Sequence, residues 1–174
     1  MSTAYSSFAT PRLLIADRHP PGILLVSIVL LAGVASLLCG ERIQIHDGMG
    51  YDGVQFVQGA INPRQIPNIS KGTSSLLHRA FPSVVVHVAL RTLNAELNTR
   101  NILRGFRVLS LITVCLAAVA ACGIARELKL TPAGTWLLLA ALFGNFALLK
   151  MPTYYSNLTD QTAFAVALGM LLAY

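Results

Sequence analysis

From Gly22 to Gly40 the chain reads "GILLVSIVLLAGVASLLCG", 19 residues without a charge. As a helix this run extends about 28 Å at 1.5 Å per residue, close to the roughly 30 Å hydrocarbon thickness of a bilayer. Two further runs have the same character. Val108 to Ala125, "VLSLITVCLAAVAACGIA", gives about 27 Å, and Ala133 to Leu149, "AGTWLLLAALFGNFALL", about 25 Å with Asn145 as its one strongly polar interruption. A fourth run, Ala163 to Tyr174, covers about 18 Å and reads as the start of another span. The chain is therefore expected to be the N-terminal fragment of a longer polytopic protein.

Composition agrees with a membrane chain: 55% hydrophobic, 11% charged and a mean hydropathy of +0.64, far from soluble averages. The formal charge is +6, but the 13 Lys and Arg are scattered. They form no face that follows a phosphate backbone, so nucleic-acid binding is not expected. Cys39, Cys115 and Cys122 lie within apolar runs, where a free cysteine behaves as a small hydrophobe. Their odd number provides no disulfide framework. The first run has no small-x-small cleavage pattern and reads as an uncleaved span.

These features predict an all-α fold, a polytopic membrane helix bundle with about four transmembrane helices, the last truncated. Residues 1–21 form a cytoplasmic tail, 22–40 a span, 41–107 an outer loop, 108–125 a span, 126–132 a short loop, 133–149 a span, 150–162 an outer loop and 163–174 the start of a further span. Residues 41–80 read as one long polar connection, rich in Pro, Gly and Ser. Residues 81–93, "FPSVVVHVALRTL", place Ser83, His87 and Arg91 on one stripe and Phe81, Val85 and Val88 opposite. That pattern predicts an interfacial amphipathic helix lying flat, apolar side down, and a short tilted crossing is the alternative. The distribution of Lys and Arg favours the crossing, because a flat helix leaves Arg42, Arg91, Arg100, Arg104, Arg107 and Lys150 near the outer membrane ends.

The loop after the first span carries "HDGMGYDGVQF", His46 to Phe56. Its G-x-G-x-x-G match at Gly48, Gly50 and Gly53 has no preceding strand and is no dinucleotide fingerprint. It is no EF-hand either, because Gln58 stands where the bidentate Glu belongs. Asp47 and Asp52 remain, with Tyr51 and Phe56 placed to anchor the loop at the headgroup level. A carboxylate held there accepts a proton from a hydroxyl or holds a divalent cation, Mg or Mn, against a phosphate. Arg64, Lys71, Arg79 and Arg91 on the same loop are positioned in sequence to clamp that phosphate. The competing reading makes the aspartates solvated turn residues. Thr159-Asp160 precedes the last apolar run and suits a helix cap as well as a site. Asn68-Ile69-Ser70 and Asn157-Leu158-Thr159 match the glycosylation pattern.

A span, a loop with "GYDGVQF", "HRAFP" opening an amphipathic stretch, two spans joined by "RELKL", then "NLTDQTAFAVALGMLL" together resemble the N-terminal part of polytopic membrane glycosyltransferases of the GT-C class. The resemblance is strongest to bacterial members with a YDG-Q-F-like motif. It implies a multi-pass protein of the bacterial inner membrane that uses a polyprenyl-phosphate-linked sugar donor and a hydroxyl acceptor at the outer face. It implies that Asp52 is the catalytic or metal-associated carboxylate, with Asp47 the alternative, that Asp160 is the second acid and that Arg79 meets the donor phosphate. Members are far longer, so the fragment alone is expected to be inactive. Gly53 stands where many members carry a second acid. The rival reading is a non-catalytic structural subunit that packs on other membrane subunits through Ala32, Gly33 and Ala35 and through Ala117, Ala118 and Ala121.

Overall fold

The computed structural model describes residues 22–40, 44–66, 80–144 and 160–174, and every element among them is helical. They are α1 (Gly22–Cys39), α2 (Gly50–Ile61), a 3-10 turn (Pro63–Gln65), α3 (Phe81–Thr92), α4 (Thr99–Glu127), α5 (Pro132–Phe143) and α6 (Asp160–Ala173). Among the described residues one helix, α4, is long and apolar enough to cross a membrane. Its 29 residues extend about 43 Å, nine residues beyond the start of the uncharged run at Val108.

That extra length makes α4 the axis on which two cores are built. The first core gathers Phe56, Val57 and Ala60 of α2, Val86 and Leu90 of α3, and Ile102, Leu103 and Phe106 of α4. The second gathers Val114, Ala117, Ala118, Ala120 and Ala121 of α4 with Leu139 and Phe143 of α5 and Leu168 of α6. Val26 and Val29 of α1 and Phe164 of α6 pack against this second core. The alanines let neighbouring helices come close: Ala117, Ala118 and Ala121 are 0% exposed. On α1, Gly33 of the expected small triplet meets α4, against the side chain of Leu111, while Ala32 and Ala35 are exposed.

The ends of these helices follow from local chemistry. The side chain of Asn98 caps α4 by accepting from the Asn101 N–H at 2.9 Å, and Thr131 caps α5 by accepting from the Gly134 N–H at 3.1 Å, ahead of Pro132 at the first helical position. Helices α3 and α4 both close on a left-handed residue, Asn94 (φ 53) and Lys129 (φ 50). In each case the following amide reaches back five residues, Ala95 to Leu90 at 2.9 Å and Leu130 to Ala125 at 3.0 Å, the pattern of a Schellman cap.

Three expectations are corrected. The polar connection 41–80 is not uniformly loop, because Gly50–Ile61 forms α2. Its buried side, Phe56, Val57 and Ala60, recurs at helical spacing and packs on α3 and α4. The segment 81–93 is helical, but its stripe faces a neighbour instead of water: Ser83 is 1% exposed and its hydroxyl donates to the Phe56 carbonyl at 3.0 Å. His87 Nδ1 donates to the Ala60 carbonyl at 2.8 Å. Only Arg91 of the stripe is exposed, while Phe81 and Val88 present the exposed apolar side. The last helix begins at Asp160, three residues before the expected run.

The third expected span is a helix only from Pro132 to Phe143 within the described residues, since 145–150 lie outside them.

Candidate functional site

Helix direction decides which acids can meet. Gly33 of α1 lies against Leu111, whereas Val26 and Val29, earlier in α1, pack with the deeper core of α4, so α1 runs antiparallel to α4. After the tight turn at 128–131, α5 runs back and brings Phe143 to the same core. Phe143 meets Phe164 of α6 edge-on, with ring centroids 6.3 Å apart, and Leu172 lies against Gly123. Helix α6 is thus parallel to α4. Three turns before Leu172 its start comes level with the region of Ile112 and Thr113. Helix α2 runs alongside α3, with its Phe56 and Ala60 carbonyls meeting Ser83 and His87 in order, and α3 is antiparallel to α4 with Val86 against Gly105, so the C-terminal end of α1 and the first turns of α2 and α6 point toward one end of the bundle.

Asp52 is the third residue of α2, Tyr51 the second, and Asp160 the first residue of α6; the side chains of these three lie outside the description. An acid in a first helical turn is favoured by the helix dipole, which accounts for both positions locally. Asp47 is exposed and left-handed, with φ 55. His46 (φ 51), Gly48 (φ 90) and Gly50 (φ 70) share that conformation, which His and Asp tolerate better than most residues and glycine tolerates freely. The turn is closed by the Met49 amide to the His46 carbonyl at 3.0 Å and the Gly50 amide to the Ile45 carbonyl at 2.9 Å. It redirects the chain from α1 into α2, and its glycines at 48 and 50 serve that geometry. Gly53 instead sits buried inside α2.

Arg64 lies exposed in the 3-10 turn, and its amide donates to the Asn62 side chain at 3.3 Å. Lys71 and Arg79 lie outside the described residues. Among the described residues no three His, Cys, Asp or Glu side chains form a group able to hold a metal.

One polar residue escaped the sequence reading. Gln161, beside Asp160, is 4% exposed and its Oε1 has no hydrogen-bond partner among the described residues. With Phe164, Ala165 and Leu168 it falls at i, i+3, i+4 and i+7, the face that packs on the second core. That spacing was the available signal. Near its level α4 buries two hydroxyls, Ser110 and Thr113, and Thr113 donates to the Ser110 carbonyl at 2.9 Å. The end of the bundle where α6 begins thus also buries polar side chains.

No protein-family model, curated protein or solved structure matches the chain.

Proposed function

We propose that this chain is the N-terminal part of a multi-pass, GT-C-like glycosyltransferase of a bacterial inner membrane. It moves a sugar from a polyprenyl-phosphate donor to a hydroxyl acceptor at the outer face. The observation that carries the reading is that the first turns of α2 and α6, with Asp52 and Asp160, lie at one end of the bundle. Embedding in lipid is supported by the apolar outside of the helices: Leu31 (68% exposed) on α1, Leu116 (59%) on α4, Leu137 (71%) on α5 and Met170 (69%) on α6. A water-soluble surface rarely carries so many large apolar side chains together.

In this reading α4 enters the membrane at Val108, and α2 and α3 form a layer outside it. The donor's lipid tether holds its sugar–phosphate bond at that surface, which is where an acid is useful. Asp52 accepts the proton of the acceptor hydroxyl as the new glycosidic bond forms, and the bond to phosphate breaks with the lipid phosphate as leaving group. Asp47, on the exposed turn, is the alternative base. Asp160 is the second acid, and Arg79, Arg64 and Lys71 are the candidate phosphate partners, with Tyr51 at the headgroup level. Two carboxylates are hard oxygen donors of the kind Mg or Mn takes, and such an ion supplies charge neutralisation at the phosphate when bound.

The structural-subunit alternative is less well supported, since the alanine stripe of α4 is already buried within this chain.

The test is Asp52→Asn in the full-length protein, assayed for sugar transfer from membrane lipid. Loss of a general base typically lowers rate by about 10²–10⁴-fold. Undiminished transfer removes Asp52 from the mechanism.

A further inference from the structure

Helices α3 and α4 form a hairpin joined through residues 93–98, and between its arms lies a cavity of about 350 Å³. That is at the low end of the roughly 300–1,000 Å³ of small-molecule sites. Its walls are apolar, with Val86, Ala89, Leu90 and Leu109, and Asn101 and Arg104 stand at its rim. Gly105 is why the arms approach there, because a Cβ on it would sit 2.8 Å from Val86 Cγ1.

The cations beside the groove lie on α4, and the acid nearest them in sequence, Glu96, lies in the connection that closes the hairpin. Arg104 is exposed, and Arg100 lies one turn earlier, also exposed. Among the described residues neither forms an ion pair. The nearby acid in sequence, Glu96, accepts from the Asn98 side chain at 3.0 Å. Arg104 precedes Val108, where the uncharged run of α4 begins, so in a membrane Arg104 sits at the headgroup level, the Val108, Leu109 and Ile112 side of the groove faces hydrocarbon, and its Ala89 and Leu90 side lies in the outer layer. An apolar slot with cationic groups at its mouth, at that depth, matches a molecule with a hydrocarbon chain and a negative head.

We propose that this groove binds one acyl chain of an anionic glycerophospholipid, with its phosphate held by Arg104 and Arg100. One chain enters the groove along its bilayer-facing lining, which includes Val108 and Ile112, both half exposed, and the second chain stays in the bilayer. The lipid ties the α3–α4 hairpin to the bilayer surface. The proposal depends on membrane embedding and not on catalysis by Asp52, so a failed transferase assay leaves it standing.

The test is native mass spectrometry of the full chain in mild detergent, with dioleoylphosphatidylglycerol, dioleoylphosphatidylcholine or undecaprenyl phosphate added. The anionic phospholipid is expected to be retained about tenfold more tightly than the zwitterionic one. Arg104→Gln lowers that retention by about tenfold, as loss of a charged hydrogen bond implies. Ala89→Trp fills the groove from an exposed position and abolishes retention. Arg126→Gln, at the opposite end of α4, leaves retention unchanged. Circular dichroism checks that each variant stays helical, and Arg104→Gln decides alone should Ala89→Trp unfold. Equal retention of the two phospholipids, retention indifferent to Arg104→Gln, or preferential retention of undecaprenyl phosphate overturns the proposal.

Discussion

Ser83 and His87 sit one helical turn apart on α3 and donate to carbonyls four residues apart on α2, yet the two bonds are not equivalent. The Phe56 carbonyl lies inside α2, where the helix already provides an amide for it. The Ala60 carbonyl belongs to the last turn, which leaves its acceptors without helical partners, and the Arg64 amide that would serve it donates to Asn62 instead. His87 is therefore the partner that keeps this carbonyl satisfied. Ser83→Ala is expected to cost about 1 kcal/mol, and His87→Ala about 1–3 kcal/mol because it strands an acceptor. Denaturant unfolding in detergent measures both; a larger loss for Ser83→Ala contradicts the account. The stripe was legible in the sequence as polar residues at i and i+4, but its direction was not. Hydroxyl and imidazole groups satisfy water and a neighbouring backbone equally well, and only the presence of α2 decides between them.

The presence of α2 was itself hidden. "GMGYDGVQF" contains three glycines and follows a left-handed turn, features that argue for loop. Two of those glycines, 48 and 50, do serve the turn, and the helix that follows is held by tertiary burial of Phe56, Val57 and Ala60 more than by propensity. Helix α4 was legible over Val108–Ala125 because its lack of charge marks it. Its first nine residues were not, since "TRNILRGFR" carries three arginines and reads as loop until Ile102, Leu103 and Phe106 are seen packed on α2 and α3. The far end of α4 has a cap that fits its residue poorly. Lys129 holds φ 50, a conformation that suits glycine better than a side chain with a Cβ. Lys129→Gly is expected to raise stability by about 1 kcal/mol, read as an upward shift in the thermal midpoint. A lowered midpoint contradicts the Schellman assignment.

At the scale of the whole molecule, α1 antiparallel to α4 and α6 parallel to it determine where the candidate acids stand. That relation was not readable from the sequence, where a flat or a crossing helix at 81–93 put Asp160 on opposite sides. In the fold, α3 returns along the start of α4 as one arm of a hairpin, and its bonds to α2 keep it in that layer. Under the proposed embedding, Asp47 and Asp160 face one aqueous compartment while the turn between α4 and α5 faces the other. Single cysteines at Asp47, Asp160 and Lys129, in a full-length background with Cys39, Cys115 and Cys122 replaced, can be labelled in sealed membrane vesicles by a reagent that does not cross the bilayer. Positions 47 and 160 are expected to label from the same side and position 129 only from the other; labelling of 47 and 160 from opposite sides overturns the proposed embedding.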